Sequence, residues 1–280
     1  MSAPLFSVVI PTCDRNPDLA KCLECLSPKG ATVSPDLYEV IVSDDSGVSS
    51  AREVVETEFP WAQWVKGPQR GPAANRNYGA SLAKGQWLAF TDDDCLPAQD
   101  WLEKLLESHE NRDVLEGLTR ADRTQLTFAE EAPINLTGGL LWSCNFAIKR
   151  SVFEELDGFD EKFPYAAMED VDFRERLKLA GKTLTFCPNA VVVHPWRKRK
   201  GWAHWNRHYA SLSYFWRKHP RQKPKSIRKY FALLALKNST TWIWKNSEVR
   251  MLRGVHVQLL HSLWLLCRTV SPSSPPASKP

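Results

Sequence analysis

Short apolar runs alternate with longer amphipathic stretches over the first hundred residues, and two of the runs end in clusters of aspartates. Residues 6–11 (FSVVIP) are continuously apolar, as expected of a parallel strand buried on both faces. Residues 38–43 (YEVIVS) predict the second strand and run into Asp44-Asp45. Residues 64–66 predict a short third strand, and residues 87–91 (WLAFT) a further one that ends in Asp92-Asp93-Asp94. The periodicity between them predicts helices over 18–26, 51–59, 73–83 and 101–109, the third closed by Gly85. Strand–helix alternation of this kind belongs to an α/β layered sheet. Ligands of open α/β sheets bind outside the carboxyl ends of the strands, so both acidic turns are expected on one edge, facing one ligand. The first strand is not followed by GxGxxG, which argues against a dinucleotide-binding oxidoreductase.

Further along, residues 114–150 predict strands and loops, with Gly138-Gly139 as a flexible point. A helix is expected over 169–179, with acids in its first turn and a stop at Gly181. Two short strands, 183–187 and 190–193, lead to His194-Pro195. Beyond that point Arg, Lys, Trp and Tyr crowd residues 196–229, amphipathic helices are predicted over 227–236 and 251–266, and residues 271–280 (SPSSPPASKP) have the composition of a disordered tail. The domain plan is therefore a catalytic domain over 1–200, a basic, Trp-rich helical extension over 201–270, and the tail.

Composition narrows the classes. In 280 residues no apolar run approaches the roughly 18–20 needed to span a bilayer. The start lacks the basic and long apolar regions of a signal peptide, so the cytoplasm is the expected compartment. Seven cysteines without a regular framework argue against a disulfide scaffold, and Cys22 and Cys25 fit apolar positions of the first helix.

The Asp92-Asp93-Asp94 turn carries the clearest chemistry. Adjacent carboxylates repel one another unless a cation or solvent screens them. A DxD at a strand end suits a hard divalent ion with phosphates completing its shell; a solvated acidic loop or helix cap is the alternative.

SVVIPTCDR, EVIVSDDSG, GPAANRNYGASLAKGQWLAFTDDDC, GGLLWSCNFAIKRSVFEELDGFDE, AMEDVDFRERLKLAGKTL and VVVHP follow one another in the order and spacing of glycosyltransferase family 2. The chain resembles that family over roughly residues 5–196. The resemblance implies a GT-A fold (a Rossmann-like mixed sheet flanked by helices, here with a helical C-terminal extension), a nucleotide-diphosphate sugar donor with UDP as the expected nucleotide, Mg²⁺ or Mn²⁺, and inversion at the anomeric carbon. It places Pro11, Thr12 and Asp14 in the loop under the base, with Arg15 within reach of a phosphate. Asp45 would accept from the base, and Asp44 would orient the loop. Arg76 would meet the base or diphosphate as a fixed cation. Asp92 would sit by the ribose, Asp93 beside the donor and Asp94 on the metal, with Asp92 and His194 as further metal ligands. Asp170 would be the base that takes the acceptor proton, with Glu169 as its partner. Gly138-Gly139 and Trp142 to Asn145 correspond to the acceptor-side loop, which makes Gly139, Trp142 and Asn145 acceptor-side candidates.

A sugar hydroxyl is a weak nucleophile, and a positioned carboxylate relieves it of its proton as the bond forms. The bland alternatives are a surface position for Arg76, helix capping for Glu169-Asp170 and a structural role for His194. The expected setting is cell-surface polysaccharide or glycolipid assembly, on a saccharide or lipid-linked acceptor. Residues 202–207 (WAHWNR) do not fit the QxxRW of the family's processive members. A non-catalytic nucleotide-sugar-binding scaffold and a nucleotidyltransferase are the competing readings; the latter would want a Gly-rich loop that residues 11–16 lack. The basic, Trp-rich third suits peripheral docking on the anionic inner face of a membrane, or plain packing with a solvated basic face; nucleic acid is not an expected partner.

Overall fold

The computed structural model describes residues 3–127, 130–198 and 202–226. Its strands in chain order are β1 (Phe6–Thr12), β2 (Tyr38–Asp44), β3 (Gln63–Lys66), β4 (Trp87–Phe90), β5 (Leu96–Pro97), β6 (Val114–Ala121), β7 (Glu130–Glu131), β8 (Phe146–Lys149), β9 (Leu184–His194) and β10 (Arg197–Lys198). The helices are α1 (Asn16–Cys25), α2 (Arg52–Glu58), α3 (Pro72–Ser81), α4 (Trp101–Leu106), α5 (Arg150–Glu155), α6 (Glu169–Leu179) and α7 (Trp202–Lys218). The chain divides into two compact units, one of residues 1–123 and 132–195, the other of 124–131 and the chain from 196 onward.

The first unit holds a mixed eight-stranded sheet in the order β3-β2-β1-β4-β8-β6-β9-β5. β1 runs parallel to both β2 and β4, so their carboxyl ends share an edge: Thr12 pairs with Asp44, and Asp44 with Lys66. The mixed α/β sheet with flanking helices is the architecture expected. β1 and β2 show why Val8–Ile10 and Val40–Val42 are apolar at successive positions. Val8, Ile10, Val40 and Val42 enter one core cluster with Leu19, Cys22 and Leu23 of α1 and Trp101 of α4. Val9 and Ile41 point to the opposite face, into a cluster with Ala80 of α3, Phe153 of α5 and Phe173 and Leu177 of α6. Alternate residues of a strand face opposite ways, so a strand covered by helices on both sides takes apolar residues at successive positions of its centre. The second cluster is aromatic: Phe90 stacks on Phe146 at 5.0 Å between centroids, and Phe159 meets Phe173 at 5.0 Å. Each such buried ring contributes about 1.5–3 kcal/mol.

Two local expectations change. The third helix ends at Ser81, and Gly85 is not its cap. A Cβ at Gly85 would lie 2.6 Å from the Ser7 backbone nitrogen, so glycine is required there by close approach to β1. The two strands expected near 183–193 are one strand, β9, whose register on β6 shifts between Gly117 and Leu118. Pro188 has no N–H to give to the ladder, and the bulge carries it past. Gly181 closes α6 as expected: it has φ 68°, its N–H reaches the Lys178 carbonyl and the Lys182 N–H the Leu177 carbonyl, the Schellman pattern.

The second unit contains the antiparallel β7–β10 pair and α7. The predicted helices at 227–236 and 251–266 and the tail at 271–280 lie outside the described residues. Among the described residues no helix is long and apolar enough to cross a membrane.

Candidate active site

The carboxyl edge of β1, β2 and β4 gathers the acidic turns, as strand order demands. Thr12 Oγ1 donates to Asp93 Oδ2 at 2.8 Å, and Arg15 places Nη2 2.6 Å from Asp93 Oδ1 and Nη1 3.2 Å from Asp94 Oδ2. Asp93 is fully buried, and burial pushes its carboxyl up to about 7 although Arg15 and Thr12 pull the other way.

The β2 end is built differently. Asp44 is 3% exposed and accepts from Ser46 N, Ser50 Oγ, Ala51 N and Trp64 Nε1. Burial opposes its ionisation, and hydrogen bonds from Ser46, Trp64 and Ala51 more than offset that, holding it below the usual range. Its oxygens are occupied by the protein, and through them it shapes the 46–51 loop and offers no free oxygen to a nucleotide. Asp14, at φ 54°, fastens the same loop: its Oδ1 accepts from Val48 N and Ser49 N. Asp45 accepts from the backbones of Gln69 and Gly71 and keeps a half-exposed carboxylate. Pro11 is buried within β1.

Asn75, which sequence reasoning passed over, ties these ends together. Its amide donates to the carbonyls of Thr12 and Ser43 and accepts from Ser43 Oγ. The next residue, Arg76, is 4% exposed. Its Nη2 is 2.6 Å from Asp92 Oδ1, its Nη1 is 3.6 Å from Glu169 Oε1, and its guanidinium lies 5.8 Å over the Phe159 ring. Burial pulls the guanidinium pKa down, but Asp92 and Glu169 outweigh it and raise it. This joins the DDD turn to α6. Arg76 Nε and Nη1 and Glu169 Oε2 are buried without a hydrogen bond, a costly arrangement in a folded protein.

Glu169 and Asp170 open α6 after Met168, which adopts φ 73°, a backbone state that a side chain like methionine's seldom takes. Burial, then the neighbouring Asp170, pushes Glu169 up to about 7 against the pull of Arg76. Burial also raises Asp170. A cleft of about 230 Å³ lies alongside, between residues 70–73 and 161–166, with Glu169 in its wall. Asp172 faces away, buried and bonded to Arg176 at 2.8 Å.

His194 ends β9 and is 1% exposed. Its Nδ1 is 2.8 Å from the Pro195 carbonyl, an acceptor, so Nδ1 carries a proton there. Nε2 is 3.6 Å from Asp94 Oδ1. Among the described residues Asp94, Cys95 and His194 bring ligand atoms within 4.8 Å of one another. Burial keeps the Cys95 thiol well above its usual range, so the donors on offer at neutral pH are a carboxylate oxygen and an imidazole nitrogen. That set fits Mg²⁺ or Mn²⁺ better than a thiophilic ion.

On the acceptor side the outcome is mixed. Gly139, at φ 87°, has open space where a Cβ would stand. Trp142 is half-buried and donates through Nε1 to the Ile134 carbonyl. Asn145 is 1% exposed; its amide joins Trp101 Nε1, the Leu118 carbonyl and the Ala190 carbonyl. It is a strut between β6, β9 and α4 with no face for a ligand, which corrects its reading as an acceptor contact.

Comparison with known proteins follows from this geometry. The sequence model described as Glycosyl transferase family 2 matches residues 7–157. The chain is 27% identical to "Glycosyltransferase AglE" of Haloferax volcanii over 69% of its length and 68% of the relative's. It is 29% identical to "Succinoglycan biosynthesis protein ExoM" of Rhizobium meliloti, over 65% of this chain and 64% of that one. Its fold is similar to that of "Mannosyltransferase PcManGT from Pyrobaculum calidifontis in complex with GDP-Man and Mn2+", with a TM-score of 0.61 at 19% identity, covering 99% of this chain and 78% of the other. Glu169, Asp170 and His194 lie beyond the span of the family model.

Proposed function

The chain belongs to glycosyl transferase family 2, and on that premise we propose that it moves a sugar from a nucleotide-diphosphate donor to an acceptor hydroxyl in one displacement, with inversion. One observation carries the reading: buried Arg76 bridges Asp92 in the turn after β4 and Glu169 at the start of α6 while two of its nitrogens make no hydrogen bond. A buried guanidinium so placed suits an anionic ligand arriving from the strand edge. The donor diphosphate would satisfy those groups.

Asp94 and His194, whose ligand atoms the fold brings together, would hold the divalent ion, while Asp92 pairs with Arg76. Bound there, such an ion would supply positive charge to the leaving diphosphate. Arg76 adds a fixed charge of the same sign from a buried position, where it acts strongly. Asp170 takes the proton of the acceptor oxygen as that oxygen attacks the anomeric carbon. Burial raises the carboxyls of both Glu169 and Asp170, which brings them nearer the pKa that suits a general base at neutral pH. A single displacement asks for no nucleophile on the protein. A relative named for succinoglycan biosynthesis supports a role in building polysaccharide, and the neighbour solved in complex with GDP-Man and Mn2+ supports both the donor class and the metal. Either a UDP- or a GDP-linked hexose fits this reading.

The test is calorimetry of UDP and GDP with Mn²⁺ and with chelator, followed by NMR of the product's anomeric configuration. Binding that needs the metal, lost in Asp94→Ala, and an inverted product are expected. Equal binding in chelator sinks the metal assignment, and a retained configuration sinks the single displacement.

A further inference from the structure

The Gly138–Leu141 loop has an unusual fastening. Glycines carry no side chain by which a loop can be anchored, and both Gly138 and Gly139 sit at positive φ. The loop is held by its backbone instead. Glu116, 1% exposed in the middle of β6, turns its carboxylate onto three successive amides: Gly139 N at 2.5 Å, Leu140 N at 2.8 Å, and Leu141 N. Asn135 Nδ2 donates to the same carboxylate at 2.8 Å, and Asn135 Oδ1 accepts from Gly138 N. From the other side Arg174 Nη1 donates to the carbonyls of Gly139 and Leu140, at 3.2 and 3.3 Å.

Arg174 belongs to α6, one turn beyond Glu169 and Asp170. The loop's N–H groups are thus fixed to the sheet and its carbonyls to the helix that carries the base pair. Arg176 fixes that helix further by donating to the carbonyls of Leu156 and Gly158. At Gly139 the loop leaves open space, while a Cβ at Gly138 would meet the Phe186 ring at 2.8 Å. The loop therefore packs on one side and presents an unfilled face on the other.

We propose that Glu116 and Arg174 are positioning residues for transfer: together they hold the acceptor-side loop at a set distance from Asp170. This rests on the reading of residues 139–142 as the acceptor side. Water needs no loop to be placed beside the base, whereas a sugar hydroxyl does. Loosening the loop should therefore cost transfer to a sugar more than hydrolysis by water. A misplacement of about 1 Å in such a geometry is worth about 10²-fold.

The experiment uses the full chain with the nucleotide-sugar that it hydrolyses, and methyl glycosides of the common hexoses as acceptor probes. It measures the ratio of glycosylated product to free sugar, the KM for the glycoside, and UDP or GDP affinity with Mn²⁺. In Arg174→Met the ratio should fall about ten- to a hundredfold, mainly through a higher acceptor KM, with nucleotide affinity kept. Arg174→Lys should recover part of it, since one ammonium can still reach a carbonyl. Glu116→Gln, which turns an amide group toward the loop's N–H donors, should act in the same direction if it folds; Arg174→Met carries the test regardless. An unchanged ratio in Arg174→Met overturns the proposal. So does a loss of nucleotide affinity that parallels the loss of transfer. A parent chain that releases no nucleotide from any sugar donor instead sinks the glycosyltransferase reading itself.

Discussion

The guanidinium of Arg15 lies 2.6 Å from the carboxylate of Asp93, reaching from the loop after β1 to the acidic turn after β4. Its other nitrogen is 3.2 Å from Asp94. Asp93 is inaccessible and Asp94 nearly so, whereas the Arg15 side chain is 40% exposed, which leaves it room to swing away. A protein cation thus neutralises the turn on which the metal is proposed to sit. Arg15→Gln should raise the affinity of the nucleotide-free chain for Mn²⁺, because a competing charge is gone. It should also weaken UDP or GDP binding once Mn²⁺ is present, because a cation within reach of the phosphates is lost. Titration calorimetry of Mn²⁺ alone, then of nucleotide with saturating Mn²⁺, checks both signs. Weaker binding of Mn²⁺ alone would mean that Arg15 organises the carboxylates and does not compete for them.

Asp170→Asn should keep nucleotide and metal binding but lose transfer by about 10²–10⁴-fold, the usual worth of general-base assistance. Single-turnover transfer with radiolabelled donor measures it. A near-parent rate would move the base to Glu169. In the parent, transfer should fade as pH drops through a limb set above the ordinary carboxylate range, since burial raises Asp170 and a protonated carboxyl accepts nothing.

Glu169 makes a prediction about stability. Its carboxyl is raised in the folded chain to about 7 from an ordinary 4.5, with burial the main cause. A group whose folded pKa is raised favours the folded state below its unfolded pKa, and that benefit disappears as pH rises through the folded value. Ionised Glu169 should therefore cost the metal-free protein on the order of 3 kcal/mol above neutrality. Glu169→Gln should melt near the parent at pH 4.5 and above it at pH 8. A variant less stable at pH 8 would show that the Arg76 attraction outweighs burial.

The C-terminal third invites a test of place. Each basic residue near an anionic bilayer is worth about 1 kcal/mol, and salt weakens it. The full chain should sediment with phosphatidylserine-containing vesicles at low salt and leave them at high salt. Indifference to such vesicles at low salt would retire the docking proposal.

Much of this protein can be read from residue type and spacing alone. The continuous apolar runs of β1 and β2 require a sheet covered on both faces, and the aspartates that end β2 and follow β4 require one acidic edge, because parallel neighbours must end together. α6 begins and stops where its acidic first turn and Gly181 say it should. These features are legible because they depend on neighbours within a turn or two, or on the simple rule of alternation.

What the sequence left open was which polar atoms remain available to a ligand, and only tertiary contact decided that. Asp44 and Asp45 are adjacent acids with the same local signal, yet Asp44 is enclosed by four donors, while Asp45 stays half-exposed. Asn145 reads as an acceptor contact until Trp101, 44 residues earlier, is seen to hold it. Glu116 gave one hint, a single carboxylate early in β6, but its partners lie 19 to 25 residues away. Arg15 meets Asp94 across 79. A buried polar group must find its hydrogen bonds wherever the fold brings a partner, and that choice is made by packing across the chain rather than by any local pattern.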